Sequence, residues 1–277
     1  MCARGRRIPD GKQHAAEVTH VAYQPFDLTG KVALVTGGNG GIGLGMAMAV
    51  AQAGADVAIW GTNAAKNAAA QAELAKTGRK VVALQCDVGD EAAVDAAFAR
   101  TLDALGRVDG CFANAGVGGG GSASFLEITS EQWHRVLRVN LDGAFYTFRT
   151  AARHMVERGG DGVLVGTASL AAVEGSPRSE HYAATKGGMI SMVRSLAVEF
   201  ARHSVRAHAI LPGWIETDMT QRLTTNDRFR ERVMPRIPMR RWGRGDDFGG
   251  IAVYLMSSAA KYHTGDTFVI DGGYSLF

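Results

Sequence analysis

The chain has 277 residues, 46% hydrophobic and 21% charged, with a formal net charge of +3 at pH 7. That length suits one α/β domain, since alternating folds often run to ~250 residues as a unit, and so small a charge argues against nucleic acid, which requires a clustered basic face. Three cysteines without close spacing (Cys2, Cys86, Cys111) and eight histidines without ligand spacing supply neither a disulfide framework nor a metal site.

Residues 1–26 carry Arg4, Arg6, Arg7 and Lys12 but no apolar core, so they do not form a secretory signal. They are expected to be a disordered arm ahead of a single domain at 27–277. No apolar run reaches the ~18 residues that span a bilayer, so no membrane partner is expected and the cytoplasm is the expected location.

From Lys31 the pattern alternates. Val32–Thr36 reads as a buried strand, 42–53 as a helix closed by Gly54, and 55–60 as a second strand. An Ala-rich helix at 64–77 leads to a strand at 81–85, a helix at 91–105 and a strand at 109–113. One long helical stretch, whole or in two pieces, covers 130–157. Then follow a strand at 162–167, a helix at 179–203, a strand at 205–211, a helix at 246–257 and a last strand at 267–271. The glycine-rich stretch 118–124 reads as a flexible loop. Strand–helix alternation with short apolar strands predicts a Rossmann-type doubly wound parallel sheet of about seven strands with helices on both faces. Ligands in such sheets bind beyond the carboxyl ends of the strands, at the switch point.

The segment Thr36-Gly37-Gly38-Asn39-Gly40-Gly41-Ile42-Gly43 joins the first strand to the first helix. Glycines let the backbone turn tightly and approach a pyrophosphate, and the helix N-terminus offers free N–H groups and a positive dipole end. No Lys-Ser/Thr follows, which argues against a P-loop. The end of the second strand sets cofactor choice: an acid there holds the ribose of NAD, an arginine favours the phosphate of NADP. This chain has Gly61-Thr62-Asn63, and Thr62 and Asn63 can bond either group. The choice between NAD and NADP stays open, with a lean to NAD because no arginine stands there.

Tyr182 and Lys186 lie four residues apart, on one face of a helix. A free tyrosine has a pKa near ~10, and a neighbouring cation lowers it toward the range of useful acid–base chemistry. Ser169 stands thirteen residues upstream.

Together these motifs resemble the short-chain dehydrogenase/reductase family over nearly all of 26–277. The resemblance rests on Thr36-Gly37-x-x-x-Gly41-x-Gly43, Cys86-Asp87-Val88, Ala113-Asn114-Ala115-Gly116 and Val139-Asn140-Leu141. It continues through Ser169, Tyr182-x-x-x-Lys186, Pro212-Gly213-x-x-x-Thr217 and Asp271-Gly272-Gly273. Ala113 is a departure, since the family often has Asn there. The closest likeness is to 3-oxoacyl-carrier-protein reductases and the related sugar and alcohol dehydrogenases. The resemblance implies an NAD(P)-dependent oxidoreductase that interconverts a secondary alcohol and its ketone, and a homotetramer. Tyr182 would be the acid–base group, Lys186 would lower its pKa and hold the cofactor ribose, and Ser169 would hold the substrate oxygen. Asn140 would hold a water that passes protons between Lys186 and solvent. Gly37, Asn39, Gly41, Ile42 and Gly43 match the pyrophosphate loop. Asp87 and Val88 match the adenine side, and Asn114, Ala115 and Gly116 leave the fourth strand beside them. Pro212, Gly213, Ile215 and Thr217 match the nicotinamide side.

Substrate shape falls to three loops: 118–125, 170–180 and 214–242. The last is arginine-rich, from Arg222 to Arg244, and as a flexible basic lid it suits an acidic thioester on a carrier protein or CoA; it equally suits a solvated helix face. Three alternatives remain: a 3-oxoacyl thioester reductase, an epimerase or dehydratase on the same fold, and a non-catalytic nucleotide-binding protein.

Overall fold

The computed structural model describes residues 23–119 and 124–276. The expected arm up to residue 22, and 120–123 of the expected flexible loop, lie outside the described residues. Residues 24–26 of that arm form a 3-10 turn, and the Pro25 carbonyl accepts a hydrogen bond from Ser258 Oγ at 3.2 Å.

Seven strands form one parallel sheet: β1 Val32–Thr36, β2 Asp56–Gly61, β3 Val81–Gln85, β4 Gly110–Ala113, β5 Gly162–Thr167, β6 Val205–Pro212 and β7 Thr267–Ile270. Their order is β3-β2-β1-β4-β5-β6-β7. The chain builds outward from β1 to β3, then returns to place β4 on the other side of β1. The crevice between the ends of β1 and β4 is therefore the topological switch point. β1, β4, β5 and β6 are buried along their whole length, which is why they read as unbroken apolar runs rather than alternating ones.

Helices α1 Gly41–Gln52, α2 Ala64–Ala75 and α9 Gly249–Met256 cover one face, where Met46, Val50, Leu74 and Leu255 pack on Val35, Ile59 and Val165. Helices α3 Glu91–Leu105, α5 Gly143–Glu157 and α6 Glu180–Phe200 cover the other, with Phe98, Phe148 and Met189 against Leu34, Cys111 and Leu164.

The expected long helix at 130–157 is α4 Ser130–Leu137, a π-helical turn at Arg138–Asp142 and α5. A capping box starts α4: Thr129 accepts from the Gln132 N–H while Gln132 answers the Thr129 N–H. Of the two readings of the arginine-rich segment, a flexible lid or a solvated helix face, the second fits its two short, mostly exposed helices, α7 Gln221–Thr224 and α8 Asp227–Val233. Asn226 caps α8 by accepting from Phe229 N at 3.0 Å. Phe229 and Val233 face a third apolar cluster with Leu170, Ile237, Trp242 and Tyr274, and Phe229 lies edge-on to Trp214 with centroids 4.8 Å apart. The arginines dominate the sequence here, but these few apolar side chains anchor the segment.

Candidate active site

The turn after β1 is shaped by what it cannot hold. Gly37 and Gly41 have φ of +63° and +51°, a region that side chains resist. A Cβ on Gly43 would stand 2.3 Å from the Gly37 carbonyl oxygen and 2.5 Å from Asn114 Nδ2, so only glycine lets α1 come this close to β4. At the head of α1 stands Gly40, with extended backbone and no side-chain cap. Asn63 caps α2 and Asp90 caps α3; the first-turn N–H groups of α1 are left for a ligand. Ile42 packs partly buried against the core beneath.

Asn114 joins three strands. Its Nδ2 donates to the Thr36 carbonyl at 3.0 Å, its backbone N–H to Thr36 Oγ1 at 3.0 Å, and its Oδ1 accepts from Thr167 Oγ1 at 3.1 Å. Ala115 N also donates to Thr36 Oγ1, at 3.0 Å. The sequence motif therefore locks the ends of β1, β4 and β5. Thr36, quoted in the glycine motif without a role, and Thr167, which motif reading passed over, are both buried.

Beyond β2, Gly61 lies under Asn39: a Cβ there would be 2.2 Å from Asn39 Nδ2, which donates to Asn67 Oδ1 at 2.7 Å. Thr62 is exposed, and the Asn63 side-chain oxygen is engaged by Lys66 N at 3.0 Å. Asp87 accepts from Arg138 Nη1 at 3.0 Å and from Gly89 N at 3.0 Å, while Val88 is buried against α5 beside Gly143.

On the far side, Pro212 ends β6 and Gly213 sits so close to Asp271 that a Cβ would be 2.6 Å from that residue's own. Ile215 is buried and forms an isolated bridge with Gly243. Thr217 leans over the glycine turn, its Cγ2 2.9 Å from where a Gly41 Cβ would be. A cleft of about 600 Å³ runs between Asn39, Gly40 and Gly41 on one side and Thr217 and Asp218 on the other, reaching Lys66 and Glu73. Lys66 Nζ pairs with Asp218 Oδ2 at 2.5 Å across it. The cleft lining does not include Tyr182.

Ser169 follows β5 and Tyr182 lies in the first turn of α6. Lys186, one turn on, is buried; its Nζ donates to the Thr167 carbonyl at 2.7 Å and lies 5.5 Å from the Tyr182 ring centroid. Burial lowers the Lys186 pKa to about 8. It raises that of Tyr182, and a contact with the Ser169 hydroxyl works in the opposite direction. The tyrosine shift runs against the sequence expectation. The reason is that Tyr182 is itself buried, and burial disfavours the charged phenolate more than the Ser169 contact favours it.

Asn140 is buried in the π turn. Its Oδ1 accepts from Val117 N at 2.8 Å and its Nδ2 donates to Val117 O at 2.9 Å and to Thr185 Oγ1 at 3.4 Å. Gly116 brings the chain past both groups: a Cβ there would be 3.2 Å from Asn140 Oδ1 and 3.6 Å from Lys186 Nζ. The structure thus gathers Asn140, Lys186 and Tyr182 around the exit of β4, with Ser169 at the neighbouring exit of β5. Thr185 and His181, on the same helix turn as the tyrosine, were not legible as site residues. Among the described residues no cluster of metal-ligating side chains forms, and no helix is long and apolar enough to cross a membrane.

The family model described as Enoyl-(Acyl carrier protein) reductase matches residues 37–275. A 2,5-dichloro-2,5-cyclohexadiene-1,4-diol dehydrogenase of Sphingobium indicum is 34% identical over 250 residues, 90% of this chain and 98% of that protein. A 3-oxoacyl-(acyl-carrier-protein) reductase of Chlamydia pneumoniae is 35% identical over 246 residues, 89% and 97%. Among solved structures, a gluconate 5-dehydrogenase from Burkholderia cenocepacia J2315, in complex with NADP and tartrate, superimposes with a TM-score of 0.86 at 32% identity, covering 92% of this chain and 98% of that one. Fold and sequence together define an oxidoreductase built on a dinucleotide-binding sheet. The chain belongs to the short-chain dehydrogenase/reductase family.

Proposed function

We propose that the protein interconverts a secondary alcohol and its ketone with NAD(P), using Tyr182 as the acid–base group. The observation that carries this reading is the joint placement of Tyr182, Lys186 and Ser169 at the ends of β4 and β5, one strand from a glycine cradle that a single Cβ would fill. The cradle residues fit a dinucleotide. Gly37, Asn39, Gly41, Ile42 and Gly43 would hold its pyrophosphate, Thr62, Asn63, Asp87 and Val88 its adenosine, and Asn114, Ala115, Gly116, Pro212, Gly213, Ile215 and Thr217 its nicotinamide half. When bound, that group supplies or accepts the hydride.

The chain's own residues handle the proton. Burial keeps Tyr182 protonated at Oη at neutral pH, the form that donates to a ketone oxygen. The Ser169 hydroxyl orients that oxygen toward Tyr182. Lys186, fixed by Thr167, places a cation beside the phenolate left after transfer. In oxidation the same groups run in reverse. Both ends of the Asn140 side-chain amide are committed to Val117, so a relay water at this residue falls to its backbone carbonyl or the spare lone pair of Oδ1.

The cofactor is read as NAD. One basic side chain, Lys66, lines the cleft beside three acids, Glu73, Glu216 and Asp218. Lys66 is already paired with Asp218, so a ribose phosphate there would find no free cation in the lining. The thioester alternative rests on the arginines of the 214–244 segment. Of these, Arg241 pairs with Asp247 and Arg244 with Glu216, which leaves less free charge for an acidic carrier. We also propose a cytoplasmic homotetramer. Buried free thiols at Cys86 and Cys111 suit a reducing compartment, and exposed apolar side chains on α6 (Val198), β7 (Val269) and the C-terminal turn (Leu276) suit subunit contacts.

The test is nicotinamide absorbance against a panel of secondary alcohols and ketones with NAD(H) and NADP(H) separately. Wild type turns over; Tyr182→Phe loses about 10²- to 10⁴-fold in kcat. Equal rates for both would end the assignment.

A further inference from the structure

Val117, Gly118 and Gly119 follow β4 without regular secondary structure, yet each carbonyl accepts a hydrogen bond from a different element. Asn140 of the π turn bonds Val117 O at 2.9 Å and also accepts its N–H at 2.8 Å. Arg135 of α4 donates from Nη2 to Gly118 O at 3.2 Å. His181 of α6 approaches Gly119 O with Nε2 at 2.8 Å. A carbonyl oxygen only accepts, so His181 carries its proton on Nε2.

Of the three donors, His181 is the one joined directly to Tyr182. It is fully buried, and its Nδ1 has no hydrogen-bond partner among the described residues. The Nε2–Gly119 bond is therefore the ring's one polar contact among the described residues. The ring also fills the space a larger residue at 119 would need: a Gly119 Cβ would be 2.7 Å from His181 Cε1. From the other side Met219 covers Gly118, its Cγ 3.5 Å from where a Cβ would stand. The segment is thus held between the helix of Tyr182 and the loop after β6, and Gly116 just before it passes Asn140 and Lys186.

We propose that His181 is a positioning residue. It ties the segment Val117–Gly119, at the start of the loop expected to shape the substrate site, to the helix turn that carries Tyr182, so that this wall is held in place for substrate binding. This rests on the alcohol–ketone reading above. His181 does not touch the reacting atoms; it acts through the Gly119 carbonyl.

The experiment compares wild type, His181→Phe and His181→Gln as full-length proteins. Phe keeps a ring and loses the donor; Gln keeps an N–H donor. Hydrogen exchange of the peptide covering 115–119 reads the tether without any ligand. We expect at least tenfold faster exchange in the Phe variant and near wild-type protection in the Gln variant. With the best alcohol from the panel, the Phe variant should raise KM at least tenfold with kcat changed less than threefold. NADH affinity should stay within twofold, and Gln should restore KM to within threefold of wild type. Unchanged exchange and unchanged KM in the Phe variant overturn the proposal. So does a loss shared by NADH affinity, which marks general damage, or a failure of Gln to restore protection. If wild type turns over no member of the panel, the functional reading falls, and the exchange comparison still decides the tether.

Discussion

His208 gives the sharpest quantitative expectation. It lies on β6, fully buried, with neither ring nitrogen in a hydrogen bond among the described residues. Its ring packs 5.1 Å from that of His263 and 5.5 Å from that of Phe268. Burial, then the charges of Arg206 and His263, push its pKa down from 6.5 to about 4; a weak approach of the His263 backbone and the Asp266 carboxylate oppose this. The folded protein therefore binds this proton less tightly than the unfolded chain. As pH falls below 6.5 the unfolded state gains protons first, so stability is lost progressively and the loss levels off below about 4. A drop of two and a half pKa units corresponds to roughly 3 kcal/mol. His208→Phe removes the titration and keeps a ring among rings. Urea unfolding should give the two proteins stabilities within about 1.5 kcal/mol at pH 7. At pH 4 the variant should have gained about 3 kcal/mol relative to wild type. His154, also lowered by burial, titrates in both proteins and cancels. Asp247, held down to about 2 by Arg241, loses its contribution only below 3.8 and lies outside the window. Parallel stability curves for the two proteins from pH 7 to 4 would refute the reasoning.

Gly43→Ala drives a methyl onto the Gly37 carbonyl and should weaken NADH binding by at least about tenfold in a fluorescence titration, since the turn must open to accept it. Asp218→Asn frees Lys66 from its ion pair and removes one acid from the cleft; NADPH affinity should rise severalfold with NADH little changed, and unchanged selectivity would remove Asp218 as a determinant. Keeping Lys186 charged costs the folded protein roughly 3 kcal/mol at neutral pH, from a pKa lowered to about 8 from 10.5. Lys186→Met should therefore abolish turnover without lowering unfolding stability, because the lost bond to Thr167 is worth only about 1–2 kcal/mol.

What was legible in the sequence has a common physical character. A strand buried on both faces must be apolar throughout, and Val32–Thr36 is. A tight approach demands glycine, and Gly43 announces one. A phenol and an ammonium four residues apart share a helix face whatever surrounds them, so Tyr182 and Lys186 could be paired before any fold was known. The π turn at Arg138–Asp142 was not legible, because one extra residue in a helical turn leaves the apolar pattern of 130–157 nearly intact while it turns Asn140 inward. Nor was the anchoring of the helices at 221–233, where arginines mask the few apolar contacts that matter.

The contacts that set this site's shape are long-range. Asn114 meets Thr36 across 78 positions, Lys66 meets Asp218 across 152, and His181 meets Gly119 across 62. No periodicity encodes such a pairing, since each partner obeys only its own helix or strand. The tyrosine pKa shows the consequence. Spacing alone places a cation beside Tyr182 and predicts a downward shift. The fold adds the burial of Tyr182 itself, and the direction reverses. The chemistry of a local pair is thus set by residues far along the chain. A site motif fixes which groups meet; the sheet around it fixes their charge.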